Sequence, residues 1–289
     1  MPAFAIMAMA LLSLGLAQAP TGPVVAVLEH PQCKTPDGIA VRVLFQKSGG
    51  AWIALRDRES LDRAVPGVAR WTIAFDGSSL GTLRTTASRP TIPADWFDRD
   101  MLLELASTQK TPHIANVKKQ FEGWCEAPPD RPLVLVSGAT FRDPEGWKRF
   151  APSASLRQTL FPTFRRAADS VYTCPEDPEK AVLFDYTWRD LTIITGYRNR
   201  VGRTIVAVEL DPRAWTCDGM RDPEWDVHWF LLDDPPALLG RSFELVDAGD
   251  YDGDGKSEIL FWHSGDNEDG YTLFYDQFRK RADYWWNYH

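Results

Sequence analysis

From residue 24 onward the chain divides into short apolar runs of strand length, rich in Val, Ile, Phe, Tyr and Trp and separated by Gly, Pro, Asn and Asp. No long stretch repeats its apolar residues at the 3.6-residue interval of an amphipathic helix, so sheets must supply most of the core. Residues 24–28, 39–45 and 51–55 read as strands bounded by Pro31, Pro36-Asp37-Gly38 and Ser48-Gly49-Gly50. Residues 70–75 and 80–86 flank Asp76-Gly77-Ser78-Ser79 and read as a hairpin, because Asp-Gly tolerates the positive φ of a tight turn. Strand signals strengthen toward the end, at 191–198, 204–210, 227–232, 243–247, 259–263 and 271–275. Helix is expected only at 98–106, from Asp143 onward and over 153–160. The pattern predicts a mainly β fold, in which short strands build a degenerate β-propeller-like array. A β-sandwich with short helices is the alternative.

The first 20 residues carry no charge and are mostly apolar from Ala3 to Leu16. This is the hydrophobic core of a signal peptide, with cleavage expected after Ala17. Roughly 14 mostly apolar residues fall short of a bilayer span, and no later segment supplies one, so no transmembrane segment is expected in the mature chain. The expected location is therefore outside the cell or in the periplasm. The mature chain reads as one β-rich domain over 18–289, with the Pro-rich stretch 127–132 as the best place for a division. Its 32 basic and 40 acidic residues give a net charge of -8, which argues against a nucleic-acid partner. Cys33, Cys125, Cys174 and Cys217 make an even count in an exported chain, and two disulfides are expected from them.

The sharpest chemical signal is the nonapeptide at 250–258, DYDGDGKSE. Asp250, Asp252, Asp254 and Glu258 occupy loop positions 1, 3, 5 and 9, Gly255 allows the sharp turn at position 6, and the Lys256 carbonyl adds an oxygen at position 7. Gathering four ionised carboxylates on one short loop is costly without a cation. Calcium, which takes six to eight oxygens in irregular geometry, suits this ligand set better than magnesium. An EF-hand begins the same way but needs a bidentate Glu at position 12, where this chain has Phe261, and helices on both sides, where it has strand-like runs.

The stretch ELVDAGDYDGDGKSEILFW, residues 244–262, resembles the calcium loop of FG-GAP or VCBS-type repeats, the blade units of integrin-like β-propellers. The resemblance covers a small part of the chain, in a single copy. It implies a propeller blade and assigns ligand roles to Asp250, Asp252, Asp254, Glu258 and the backbone of Lys256.

Other chemistry is sparse. There is no H-E-x-x-H pattern, and His30, His113, His228, His263 and His289 are dispersed. Ser137 lacks a nucleophile elbow and reads as a turn residue. The acidic patch 266–270 reads as a hairpin turn. Late aromatics, from Tyr271 to Tyr288, are expected to pack a β core, with one of Trp285 and Trp286 facing outward to serve an extracellular protein or carbohydrate ligand. The sequence therefore predicts an exported calcium-binding β protein acting as a binding or structural module. An extracellular or periplasmic hydrolase, in the form of a glycoside hydrolase whose carboxylate pair is set by space rather than by sequence, is the alternative.

Overall fold

The computed structural model describes residues 22–30, 38–88, 99–106, 109–122, 127–138, 140–168, 180, 182–210, 227–265 and 267–287. The expected leader, 1–17, lies outside them. No disulfide is present among the described residues, and Cys33, Cys125, Cys174 and Cys217, on which the expectation of two bridges rests, all lie outside them.

The described residues form three antiparallel sheets. The first contains β1 (Val24–Glu29), β2 (Ala40–Ser48), β3 (Ala51–Ala54), β4 (Ala69–Phe75), β5 (Ser78–Thr85), β6 (Leu102–Leu103) and β7 (Leu133–Ser137). Its order is β3-β2-β1-β7-β4-β5, with β6 also paired to β2. The second runs β12 (Ala237–Arg241), β11 (His228–Leu231), β10 (Thr204–Leu210), β9 (Leu191–Arg198) and β8 (Lys148–Phe150). The third is a meander of β13 (Phe243–Gly249), β14 (Glu258–Gly265), β15 (Glu268–Tyr275) and β16 (Lys280–Asn287). Two α-helices accompany them among the described residues. In α1 (Arg58–Ala64), the Asp57 side chain caps the first turn through the Ser60 amide, and α2 (Leu156–Ala167) buries Leu160 and Phe164.

The two-residue side-chain period of a strand stacks these sheets. Along β14 and β15, Leu260, Trp262, Tyr271, Leu273 and Tyr275 enter a core shared with the first sheet. The alternating Ile259, Phe261 and Phe274 pack instead against Ile205, Ala207 and Trp229 of the second sheet. The third sheet is thus the middle layer. The opposite face of the second sheet, carrying Val206, Val208 and Phe230, is covered by Leu160 and Phe164 of α2. One buried polar cluster crosses the first interface: Glu29 accepts from Arg42 Nε at 2.9 Å and from the Tyr271 hydroxyl at 2.6 Å, while the Arg42 guanidinium lies 4.2 Å from the centre of the Trp286 ring.

This architecture corrects the propeller expectation. The chain is mainly β, but its sheets stay separate and open rather than closing into a ring of blades, and there are three layers rather than the two of a sandwich. The physical reason lies in what covers the outer faces: α2 caps the second sheet where a ring would require a further blade. Two helix expectations also fail. At 99–106 a single turn at Arg99–Met101 gives way to β6, because Leu102 and Leu103 pair with Arg42 and Val41. After Asp143 no helix starts. Its carboxylate instead accepts from the amides of Glu145, Gly146 and Trp147, closing a turn ahead of β8.

Candidate metal centre

The acidic loop is the connection between β13 and β14, closed where Gly249 pairs with Glu258. Its own carboxylates hold its shape. Asp250 Oδ1 accepts from the Gly253 amide at 2.7 Å and Oδ2 from the Gly255 amide at 3.0 Å. Asp252 Oδ1 accepts from the Asp254 amide at 3.1 Å, and Asp254 Oδ1 from the Lys256 amide at 2.8 Å. Gly253 and Gly255 adopt φ of 78° and 85°, the left-handed region that side chains disfavour. The alternate acids Asp250, Asp252 and Asp254 bring their ligand atoms together, while Tyr251 turns into the core. Its ring is fully buried, stacks 5.9 Å from Phe141 and anchors the loop in the core.

The loop, part of the third sheet, touches the first sheet directly and is linked to the second through the 142–145 segment. From the first, Lys47 at the end of β2 sets its Nζ 2.5 Å from Asp252 Oδ2. Toward the second, the Ser257 hydroxyl donates to Asp143 Oδ1 at 2.5 Å and the Asp250 amide donates to the Arg142 carbonyl at 2.9 Å. The same segment reaches the β9–β10 turn, where the Arg200 amide donates to the Glu145 carbonyl and the Asn199 side chain donates to the Glu145 carboxylate.

Ligand atoms of Asp250, Asp252 and Asp254 all lie within 4.8 Å of one another. Oxygens around one calcium, each at about 2.3–2.6 Å, must fall within roughly 5 Å of each other, so this spacing fits the ion. Glu258 stands beside the group with Oε2 on the Tyr251 amide at 2.8 Å. Burial pushes its pKa up to about 8, and the negative charges of Asp252 and Asp254 push the same way. Three of the four acids predicted from sequence are therefore gathered, and the fourth borders them. Lys256 turns its ammonium outward to within 3.5 Å of Asp276, while its amide serves Asp254.

Comparison with known protein families, curated proteins and solved structures finds no match to this chain. With that result and the open sheets, the FG-GAP or VCBS-type assignment is overturned. The ligand roles it implied must rest on the loop's own geometry.

The remaining expectations resolve simply. Ser137 ends β7 and accepts from the Val24 amide at 2.8 Å, a structural bond between strands. The turn within 266–270 is confined to its beginning: Asn267 has a φ of 62°, and Glu268 already opens β15, while Asp266 lies outside the described residues. Trp286 is 7% exposed and Trp285 38%, on opposite faces of β16, with Trp285 stacked on His263 at 5.2 Å. Two shallow depressions, of about 390 and 450 Å³, share Val68 and Arg70, and neither is lined by a carboxylate. No described helix is long and apolar enough to cross a membrane. Sequence reading missed a second gathering of ligating side chains, formed by His30, His113 and Asp130.

Proposed function

We propose that this chain is an exported calcium-binding β protein, secreted or periplasmic, acting as a binding or structural module. The carrying observation is the position of the acidic loop. Its carboxylates converge to calcium-ligand spacing beside Lys47 of the first sheet and the 142–145 segment that is bonded to the β9–β10 turn of the second. A cation there neutralises Asp250, Asp252, Asp254 and Glu258 with help from the Lys256 carbonyl, and so couples the layers to one another. Lys47 is already a partial counter-ion for Asp252. The exposed face of Trp285 is an apolar platform suited to an extracellular protein or carbohydrate ligand.

Thermal unfolding of the full chain and of Asp254→Ala, in excess EDTA and across a calcium titration, tests this reading. Ligand bound only by the folded state stabilises it by about 2.7 kcal/mol at a hundred times its dissociation constant, so the wild-type midpoint rises with calcium. Asp254 is exposed on the loop, and its replacement removes a ligand while leaving the strands intact. The variant is expected to fold and to lose most of the calcium response. An unchanged wild-type midpoint with no heat of binding would leave only an acidic turn, and equal responses from both proteins would place calcium elsewhere.

A further inference from the structure

We infer that His30, His113 and Asp130 form a second metal site, for a divalent transition ion of the zinc type, separate from the acidic loop. Three distant parts of the sequence meet there. His30 follows the end of β1, Asp130 precedes β7, and β1 pairs with β7 from Leu28 opposite Leu133. His113 is brought in by backbone bonds: Ala115 and Asp130 form an isolated antiparallel bridge, the Arg131 amide donates to the Ile114 carbonyl and the Asn116 amide to the Pro129 carbonyl, each at 2.9 Å.

Both imidazoles converge on a single oxygen. His30 Nε2 lies 3.3 Å and His113 Nδ1 2.6 Å from Asp130 Oδ2, with the two rings 5.6 Å apart. Around a tetrahedral zinc with bonds of about 2.0–2.1 Å, ligand atoms stand about 3.3 Å from one another. The His30–Asp130 spacing already meets that requirement. His113 needs to withdraw by about 0.7 Å to reach the same spacing, and its side chain is 60% exposed on a loop. Two neutral imidazoles and one carboxylate are a set that zinc takes readily and calcium, an oxygen-seeking ion, does not. The His30 side chain is 8% exposed, so the site is shielded from bulk water on that side. Three protein ligands leave a fourth position open to water.

The site is remote from the calcium loop. Lys47, whose side chain reaches the loop, has its amide on the Pro23 carbonyl just before β1, whereas His30 follows that strand's other end. Roughly 20 Å of extended chain separates the two ends.

The test uses the full chain, stripped of metal and then saturated with calcium so that the acidic loop is filled. Zinc is titrated by calorimetry and cobalt by its visible absorption, for the wild type, His113→Ala and Asp130→Asn, with circular dichroism confirming that each variant is folded. Asp130→Asn preserves an oxygen for hydrogen bonding while removing the carboxylate ligand. One equivalent is expected to bind the wild type with a nitrogen and oxygen ligand spectrum, and both variants are expected to bind at least tenfold more weakly. The inference is overturned if the wild type binds no zinc, if the folded variants bind as tightly as it does, or if cobalt shows thiolate charge-transfer bands. The first result would leave a hydrogen-bonded His-Asp-His cluster only, and the last would move the metal to cysteine. None of these outcomes bears on the calcium response, so the two readings stand or fall separately.

Discussion

Asp247 is a carboxylate placed where a charge is costly. It is buried in β13, accepts from the Asp76 amide at 2.8 Å and lies beside the Tyr251 phenol. Burial raises its pKa to about 7 from an ordinary 3.8, despite opposing hydrogen bonds and Arg131, and Glu244 is likewise raised to about 7 by burial. Because the folded state holds these protons more tightly than the unfolded state, it binds more protons between about pH 4 and pH 7. Stability must therefore fall as pH rises through that window, by up to about 1.4 kcal/mol per pH unit for each group, and level off above it. Asp247→Asn keeps an acceptor for the Asp76 amide but cannot ionise. Urea unfolding of both proteins from pH 4 to pH 8 should show a shallower fall for the variant, with the difference growing toward pH 7. Parallel curves would mean that Asp247 does not titrate differently in the folded state. The histidine cluster is also a residue-scale feature, but one without a local sequence signature. His30, His113 and Asp130 are ordinary residues in their own neighbourhoods, and only the pairing of β1 with β7 and the bridge at Asp130 unite them.

The β13–β14 hairpin behaves differently, because its chemistry is written in consecutive residues. Alternate acids and two glycines specify the turning loop directly, and the structure gathers Asp250, Asp252 and Asp254 as that spacing requires. What the pattern does not contain is Lys47, which arrives from β2 across the sheet interface and lies 5.1 Å from the ring centres of both Trp52 and Tyr275. Without calcium this ammonium is the loop's nearest relief from repulsion. Lys47→Met keeps much of the apolar stem and removes the charge, so it should lower the midpoint in EDTA by a few degrees while leaving calcium binding in place. The calcium-induced rise in midpoint should then exceed that of the wild type. A smaller rise would show that Lys47 helps to shape the bound loop instead of substituting for its cation. Other elements divide along the same line of local against distant causes. The β4–β5 hairpin was legible from Asp76-Gly77, both of which take positive φ, and β9 and β10 from the β-branched stretches within them. By contrast β6 and β8 are strands of two and three residues, defined only by their partners.

At the scale of the molecule, alternation along each strand made sheets legible but not the manner of their stacking. Ile259, Leu260, Phe261 and Trp262 are all buried, and a continuous apolar run of this kind marks a strand covered on both faces without identifying what covers it. Here the covering layers are the first and second sheets, which makes the last sheet the shared wall of two cores. A cut after Ser242 removes that wall. The first sheet would lose Leu260, Trp262, Leu273, Tyr275, Tyr284 and Trp286, and the second would lose Phe243, Leu245, Ile259, Phe261 and Phe274. Burial of each such side chain is worth about 1.5–3 kcal/mol, so the summed loss exceeds the roughly 5–15 kcal/mol by which a domain is normally stable. Scanning calorimetry of the full chain is expected to show one cooperative transition, since neither outer sheet can leave the stack without exposing a face of the middle one. The chain ending at Ser242 is expected to show none and to bind a hydrophobic dye at low temperature. A sharp transition in the shortened chain would make the third sheet an appendage, and two resolved transitions in the full chain would mean that its faces serve independently folding halves.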